Sequence, residues 1–315
     1  MDDKKKISVL IPTYNEEENV LPICAEVQKT LEQDLSGYDY EIVFIDNRST
    51  DSTRDKILSL CEANPRVKAI FNLKNFGQFN SPFYGLCQTT GDCTILLCAD
   101  FQDPVEMIPR FVREWENGYR LVCGIKTGSR ENRFIYWLRS LYYKAIKRMS
   151  SVEQIEHFTG FGLYDRSFID VMKSLDDPLP FLRGIVAEFG PERKDIAYTQ
   201  AKRKAGKTKN NWYTLYDAAM FSFTSYTKIG LRLATMTGFL FSALSLLTAF
   251  VYLIMKLALW DTFNAGMAPI LIGVFVGSSV QLFFIGLLGE YILSINSRVI
   301  KRPVVIEEKR VNFDK

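Results

Sequence analysis

Apolar and polar positions alternate in blocks along the first part of the chain. Segments 7–11, 41–45, 67–71, 94–97 and 121–124 are short, rich in Ile, Val and Leu, and bounded by polar residues, which predicts buried strands. Between them, 17–35, 51–63, 81–89 and 104–117 space their apolar residues with the period of a helix that buries one face, and Pro104 suits a first helical turn. Strands alternating with helices predict an α/β fold, a mostly parallel sheet covered by helices. Ligands of such sheets bind beyond the carboxyl ends of the strands, so the residues after each apolar run are where chemistry is expected.

The pattern changes towards the C-terminus. Residues 233–255 carry no charge, nor do 262–289, and each run exceeds the roughly 20 residues that cross a bilayer as a helix. Two transmembrane helices are expected, because uncharged runs of this length are uncommon in soluble domains. Lys228 and Arg232 precede the first run and Arg298, Lys301 and Arg302 follow the second, whereas the link between them offers only Lys256 and Asp261. Both ends are therefore expected in the cytoplasm. The apolar run at 7–12 is too short to suggest a secretory leader. The expected organisation is a soluble domain over 1–210, a juxtamembrane amphipathic segment over 211–232, two spans over 233–292 and a cytoplasmic tail over 293–315, in the plasma (inner) membrane.

Composition changes this picture little. At 315 residues, 47% hydrophobic and 24% charged, the chain holds one ordinary domain with a sizeable core, plus the spans. Six cysteines show no C-x-x-C pair and His157 is the only histidine, so zinc is poorly supplied with ligands and reduced, mostly buried thiols are expected. A net charge of +3 makes no case for nucleic acid.

The strand ends carry the candidate chemistry. After the first strand come Pro12, Thr13, Tyr14, Asn15 and Glu16; after the second, Asp46, Asn47, Arg48, Ser49, Thr50 and Asp51; after the fourth, Asp100, Phe101, Gln102 and Asp103. Asp, Asn and Ser commonly make turns and helix caps, and for Ser49 and Asp51 that role stands level with a functional one. Asp100 and Gln102 point further. Two oxygen donors at i and i+2 suit a hard cation such as Mg²⁺ or Mn²⁺, which completes its shell with water and phosphate oxygens. A nucleoside diphosphate is the expected partner.

The series I-P-T-Y-N-E-E-E-N, I-D-N-R-S-T-D-S-T, N-F-G-Q and A-D-F-Q-D-P-V-E, ahead of two apolar C-terminal runs, resembles the family 2 glycosyltransferases of GT-A fold, a Rossmann-like α/β architecture. Within that family it is similar to the polyprenyl-phosphate glycosyltransferases. Further matches are Arg203, Gly206, Thr208 and Lys209, the stretch Ser225 and Tyr226 ahead of Leu231, Arg232 and Leu233, Gly289 to Ile292, and Lys301 to Pro303. The resemblance implies that Pro12, Tyr14, Asn15 and Glu16 surround nucleobase and ribose, with Asp46 on the base or ribose side, and that Asp100 and Gln102 hold the metal. Arg203 and Lys209 would grip phosphate, with Arg130 joining them at the acceptor phosphate. It implies a nucleotide-sugar donor, UDP-sugar favoured, a polyprenyl (undecaprenyl) phosphate acceptor, an inverting reaction at the cytoplasmic face of the membrane, and leaves a homo-oligomer open.

This chain departs from the family pattern at two carboxylates. Cys98 stands at the first position of the usual Asp-x-Asp, and Thr159, Gly160, Phe161, Gly162 and Leu163 stand where relatives carry Gly-Asp-Phe-Arg-Leu. A lipid phosphate is mostly dianionic at neutral pH and needs no base to attack, so the departures bear on the site residues more than on the reaction. Glu188 is a candidate replacement acid, with a buried or capping role equally open. Segment 131–149 alternates apolar residues with Arg133, Arg139, Lys144, Lys147 and Arg148 and reads either as an interfacial helix or as an amphipathic helix packed on the domain; 212–226 is a second such segment. The basic run 202–209 has a solvated or lipid-facing patch as its plain alternative. Two other functions stay open, a processive polysaccharide synthase, for which no Gln-x-x-Arg-Trp motif is found, and a non-catalytic membrane scaffold that keeps the fold.

Overall fold

A computed structural model describes residues 4–128, 155–175, 177–190, 192–201, 220, 229–258, 267–300 and 302–313. The chain forms two compact units. One comprises Met1–Lys144, Val152–Asn211 and Ile300–Lys315, and the other Ala145–Ser151 with Trp212–Val299.

In the first unit the order is β1 (Lys6–Thr13), α1 (Val20–Asp34), β2 (Asp39–Asp46), α2 (Thr53–Ala63), β3 (Val67–Asn72), α3 (Gly77–Gln88), β4 (Cys93–Leu96), α4 (Met107–Glu116), β5 (Leu121–Gly128), β6 (Phe158–Asp165), α5 (Arg166–Ser174), α6 (Leu182–Phe189), β7 (Arg193–Thr199) and, at the far end of the sequence, β8 (Glu307–Val311). Each strand and helix read from the apolar pattern is present. The helix expected at 81–89 begins earlier, at Gly77, because residues 77–80 show no apolar period, and Pro82 lies inside it rather than at its start.

The strands form a single sheet in the order β7-β5-β6-β4-β1-β2-β3-β8. Four pairings are parallel and three antiparallel, the latter made by β6 and β8, so the sheet is mixed. Alternation along each strand sorts the core into two layers. Ile7, Val9, Ile11, Phe44 and Phe71 pack with Ile23 and Val27 of α1, Ile57 of α2 and Phe111 of α4. Leu10, Val43, Ile45 and Ile70 face the other way, onto Leu86 of α3, Ile169 of α5 and Ile185 of α6. Each such fully buried aliphatic side chain contributes about 1.5–3 kcal/mol. Where β6 crosses between β4 and β5, a Cβ on Gly162 would lie 2.3 Å from the Val122 carbonyl oxygen, so only glycine fits.

The segment expected as a C-terminal tail contributes a strand to this sheet. β8 pairs antiparallel with β3, Leu73 N–H donates to the Ile306 carbonyl (2.9 Å), the Asn312 amide donates to the carbonyls of Cys61 (2.7 Å) and Val67 (2.8 Å), and the Tyr84 hydroxyl donates to Glu307 (2.8 Å).

The second unit contains α7 (Ile229–Ala258) and α8 (Met267–Val299). Within α8, Gly273–Asn296 is the one helix among the described residues that is long and apolar enough to cross a membrane, whereas α7 carries a shorter apolar run, Leu233–Ser245. Large apolar side chains here stand open, among them Phe239 (73% exposed), Phe275 (70%) and Phe283 (69%).

Near the start of the sheet, Glu41 is 1% exposed and carries a full set of partners: Lys68 Nζ at 2.8 Å, Lys6 Nζ at 3.2 Å, the Ser8 hydroxyl at 2.6 Å and the Thr90 N–H at 2.7 Å. Burial opposes its ionisation, but Lys68, Ser8, Thr90 and Lys6 outweigh it and hold the carboxyl at about 2 against an ordinary 4.5. A depressed folded-state pKa stabilises the fold above the unfolded value and is lost as pH falls. Thermal denaturation of the soluble unit should therefore shift downwards between about pH 4.5 and about pH 2, and Glu41→Ala, which strands two lysines, should cost about 3 kcal/mol at neutral pH and remove much of that acid dependence.

Candidate functional site

β1 and β2 run parallel in a register that places Thr13 beside Asp46, so the two strands end level and their loops emerge side by side. All three candidate loops turn through the left-handed region, at Asn15 (φ 54°), Arg48 (φ 67°) and Phe101 (φ 60°). Asparagine adopts that conformation readily, whereas for Arg and a bulky Phe it is strained and has to be held by surrounding contacts.

Much of that holding is done by side chains. Asn15 N–H donates to Ser49 Oγ (2.8 Å) while Asn15 Oδ1 accepts from Thr50 N–H (2.7 Å); Glu16 N–H donates to Thr53 Oγ1 (2.9 Å), and the Glu16 carboxylate accepts from Asn19 (2.6 Å). Pro12 lies within β1 opposite Ile45, and Tyr14, half-buried, opens the loop. Asp46 has no exposed surface. Its carboxylate accepts from Ser49 N–H (3.0 Å) and from the Ser49 hydroxyl, and Arg54 Nε lies 3.7 Å away. Burial raises its pKa above the usual carboxylate range, against the pull of Ser49 and Arg54. In this conformation Asp46 shapes its loop and presents no surface to a ligand.

The strand order joins a third loop to these two. Asn47 Oδ1 accepts from Asn72 Nδ2 (3.2 Å) and Phe76 N–H (2.9 Å), while its Nδ2 donates to Asn75 Oδ1 (2.9 Å) and to the Gly77 carbonyl (3.1 Å). Sequence reasoning placed no role on Asn47, Asn72 or Asn75. The available signal was an amide side chain at the end of each of two neighbouring parallel strands, where backbone groups need partners.

The loop after β4 carries the cation candidates. Asp100 is 7% exposed and accepts from Gln102 N–H (3.1 Å) across a tight turn whose middle residue is the left-handed Phe101, itself buried in the core. Asp103, at 3% exposure, accepts from the Tyr198 hydroxyl (2.6 Å) at the end of β7; burial raises its pKa, opposed by Tyr198 and by the charge of Lys126. Burial in turn lowers the pKa of Lys126, with Asp103 opposing it. Ala201 N–H donates to the Gln102 carbonyl (3.2 Å), which ties the segment leaving β7 to this turn. Cys98 is exposed at the mouth of the loop. Arg130, Arg203 and Lys209, with segments 131–149 and 212–226 apart from Met220, lie outside the described residues.

The matching residues of this chain belong to a known family. Residues 8–172 match the family described as Glycosyl transferase family 2. The chain is a family 2 glycosyltransferase. It is 31% identical to a bactoprenol glucosyl transferase of Shigella phage SfX, over 97% of this chain and 99% of the relative. It is 29% identical to an undecaprenyl-phosphate 4-deoxy-4-formamido-L-arabinose transferase of Pseudomonas fluorescens (strain SBW25), over 96% of this chain and 89% of the relative. Among solved structures it is similar to glucosyl-3-phosphoglycerate synthase from Mycobacterium tuberculosis in complex with Mn²⁺, UDP-glucose and phosphoglyceric acid, with 15% identity, a TM-score of 0.48 and coverage of 70% of this chain and 78% of that one.

At Gly160, one of the two positions expected to depart from the family pattern, the backbone conformation is distinctive. Gly160 takes φ 104°, a backbone conformation that L side chains rarely adopt, and its carbonyl accepts from the Tyr164 hydroxyl (2.6 Å). Glu188 is exposed, neither buried nor capping, in the last turn of α6; the following Phe189 and Gly190 line a cleft with Leu121 at the amino end of β5, away from the carboxyl ends where the candidate loops emerge. That position removes it as a replacement acid.

Asn47 provides a test of the bracing in this glycosyltransferase. Asn47→Asp keeps the shape but sets a carboxylate oxygen against Asn75 Oδ1 and the Gly77 carbonyl, and should cost about 2–3 kcal/mol in chemical denaturation while weakening nucleotide binding in calorimetry.

Proposed function

We propose that this glycosyltransferase moves a sugar from a nucleotide-sugar donor, UDP-sugar favoured, to polyprenyl phosphate at the cytoplasmic face of the membrane, with inversion at the anomeric carbon. The observation that carries the reading is full-length likeness. A likeness confined to the sugar-nucleotide domain would fit many acceptors, but the relatives that act on bactoprenol and undecaprenyl phosphate match through the apolar C-terminal helices as well.

The braced loops of Pro12, Tyr14, Asn15, Glu16 and Asp46 form the donor side in this reading. Asp46 would reach base or ribose after a shift of its loop. Asp100 and Gln102 come off one tight turn and offer hard oxygen donors, which fits Mg²⁺ or Mn²⁺. Among the described residues no three His, Cys, Asp or Glu side chains gather to hold a metal, so the rest of the shell would come from diphosphate and water. When bound, the ion would neutralise charge on the departing nucleotide. Arg203 follows two residues after Ala201, whose N–H is tied to Gln102, a sequence proximity that supports Arg203 as a grip on phosphate; Lys209 is assigned the same role and Arg130 the acceptor phosphate. An acceptor phosphate oxygen attacks the anomeric carbon, the bond to the donor β-phosphate oxygen breaks, and the nucleoside diphosphate leaves with its electrons. The acceptor arrives ionised, so neither Gly160 nor Cys98 has to supply a base.

Two membrane crossings and cytoplasmic ends are part of the proposal. What supports them, besides the flanking charges, is β8. It follows α8 in sequence yet shares a sheet with β3, so the chain between them crosses a bilayer an even number of times, and a span in α8 calls for a second.

Membranes containing the protein, offered labelled sugar nucleotides with undecaprenyl phosphate, should carry label into lipid, and the non-phosphorylated polyprenol should take up none. Efficient use of the free alcohol would end the proposal. Chelator should abolish transfer, Asp100→Ala should lower it on the order of a hundredfold, Arg203→Ala or Lys209→Ala about tenfold, and turnover should fall below about pH 6 as the acceptor phosphate protonates. Protease added to intact cells should leave both termini uncut.

A further inference from the structure

The end of the chain reaches the donor side of the site. β8 pairs with β3 through Ile70 with Arg310, Phe71 with Lys309 and Asn72 with Glu307, so the register skips Glu308, which is the extra residue of a β-bulge. A bulge leaves one residue unpaired and re-aims its side chain. Here Glu308 meets the loop after β2. One of its carboxylate oxygens accepts from both Arg48 Nη1 and Arg54 Nη2, the latter at 2.9 Å. Arg54 then continues inward, with Nε 3.7 Å from buried Asp46 and its guanidinium 4.9 Å over the Phe71 ring.

These two arginines sit at sensitive places. Arg48 is the strained left-handed residue of the 46–51 loop, and that loop holds Asn15 through Ser49 and Thr50. Arg54 bridges Glu308 to Asp46. Without Glu308, two guanidinium groups would face each other with one buried carboxylate between them. Arg54 would close on Asp46 and Arg48 would leave its left-handed turn. Glu308, Arg48 and Arg54 are 37%, 46% and 24% exposed at their side chains, so the ion pairs contribute little to global stability and their effect falls on loop conformation.

We infer that Glu308, aimed by the bulge of the C-terminal strand, is a positioning residue that sets the donor-binding conformation of the loops carrying Asp46 and Asn15. The inference rests on the donor-site reading above. It assigns the segment beyond the apolar helices a part in nucleotide binding.

The test uses the full-length protein in nanodiscs, with UDP and GDP plus Mg²⁺ as calorimetric probes and initial rates for the donor sugar nucleotide that the wild type accepts. Glu308→Ala should weaken nucleotide binding and raise donor KM about five- to tenfold, with kcat and acceptor KM within about twofold. Glu308→Asp should recover most of the loss. Lys309→Ala, on the same strand, should match the wild type. Unchanged donor KM in Glu308→Ala, or a parallel fall in kcat and both affinities with a lowered melting temperature, would overturn the inference while leaving the donor site standing. A wild type that binds neither nucleotide would overturn the donor-site reading itself, and this inference with it.

Discussion

Parallel strands that end level leave peptide groups at their carboxyl ends without ladder partners, because the chain there turns away towards a helix. Those groups lie close to a packed core, and leaving them unpaired costs about 1–3 kcal/mol each. In this chain Asn15, Asn47 and Ser49 take up such groups by reaching from one loop to another, and Asp46 takes up the Ser49 N–H within its own loop. The loops of the candidate site are thus held by contacts that also satisfy the carboxyl ends of the sheet. Strained turns at Arg48 and Phe101 persist because those contacts and the core over-determine them.

The second consequence of the sheet is topological. A strand contributed from beyond the apolar helices closes the β3 edge and ties the two ends of the sequence together. Covering that edge removes a row of unpaired backbone groups, and the charged sequence of β8 leaves a new edge unattractive to other strands. The same strand delivers a carboxylate to Arg48 of the loop after β2 and to Arg54 of α2. The apolar helix α8 and the strand that braces the loop after β2 are in this way adjacent stretches of chain.

Cys98 and Gly160, the two positions where family carboxylates were expected from the sequence, fit this architecture. Gly160 occupies a backbone conformation that strains a side chain, beside Leu96 and Leu182, and Cys98 opens the loop whose remaining carboxylates, Asp100 and Asp103, are both buried. A reaction whose nucleophile is already an anion depends on bringing two polyanions together, and cations and a metal answer that need better than a base does.

Period and composition alone determined the central strands β1 to β5, helices α1 to α4 and the long apolar helices, since strand alternation, helical spacing and long uncharged runs are local properties of the chain. They also marked the candidate residues Asp100 and Gln102 and the Asn- and Asp-rich turns, which sit where apolar runs stop. β6 was hidden by its glycines, which break the apolar signal: Gly162 passes too close to Val122 for a side chain, and Gly160 takes a positive φ. β7 and β8 are edge strands with charged sequences, and no local pattern marks a charged strand as paired. Only the tertiary structure decided that Asp46 is enclosed, that Asn47 joins its own loop to the one after β3, that Glu188 stands away from the carboxyl ends of the strands and that Glu308 meets Arg48 and Arg54. Each of these depends on which strand lies beside which, and strand order is fixed by contacts between residues far apart in sequence.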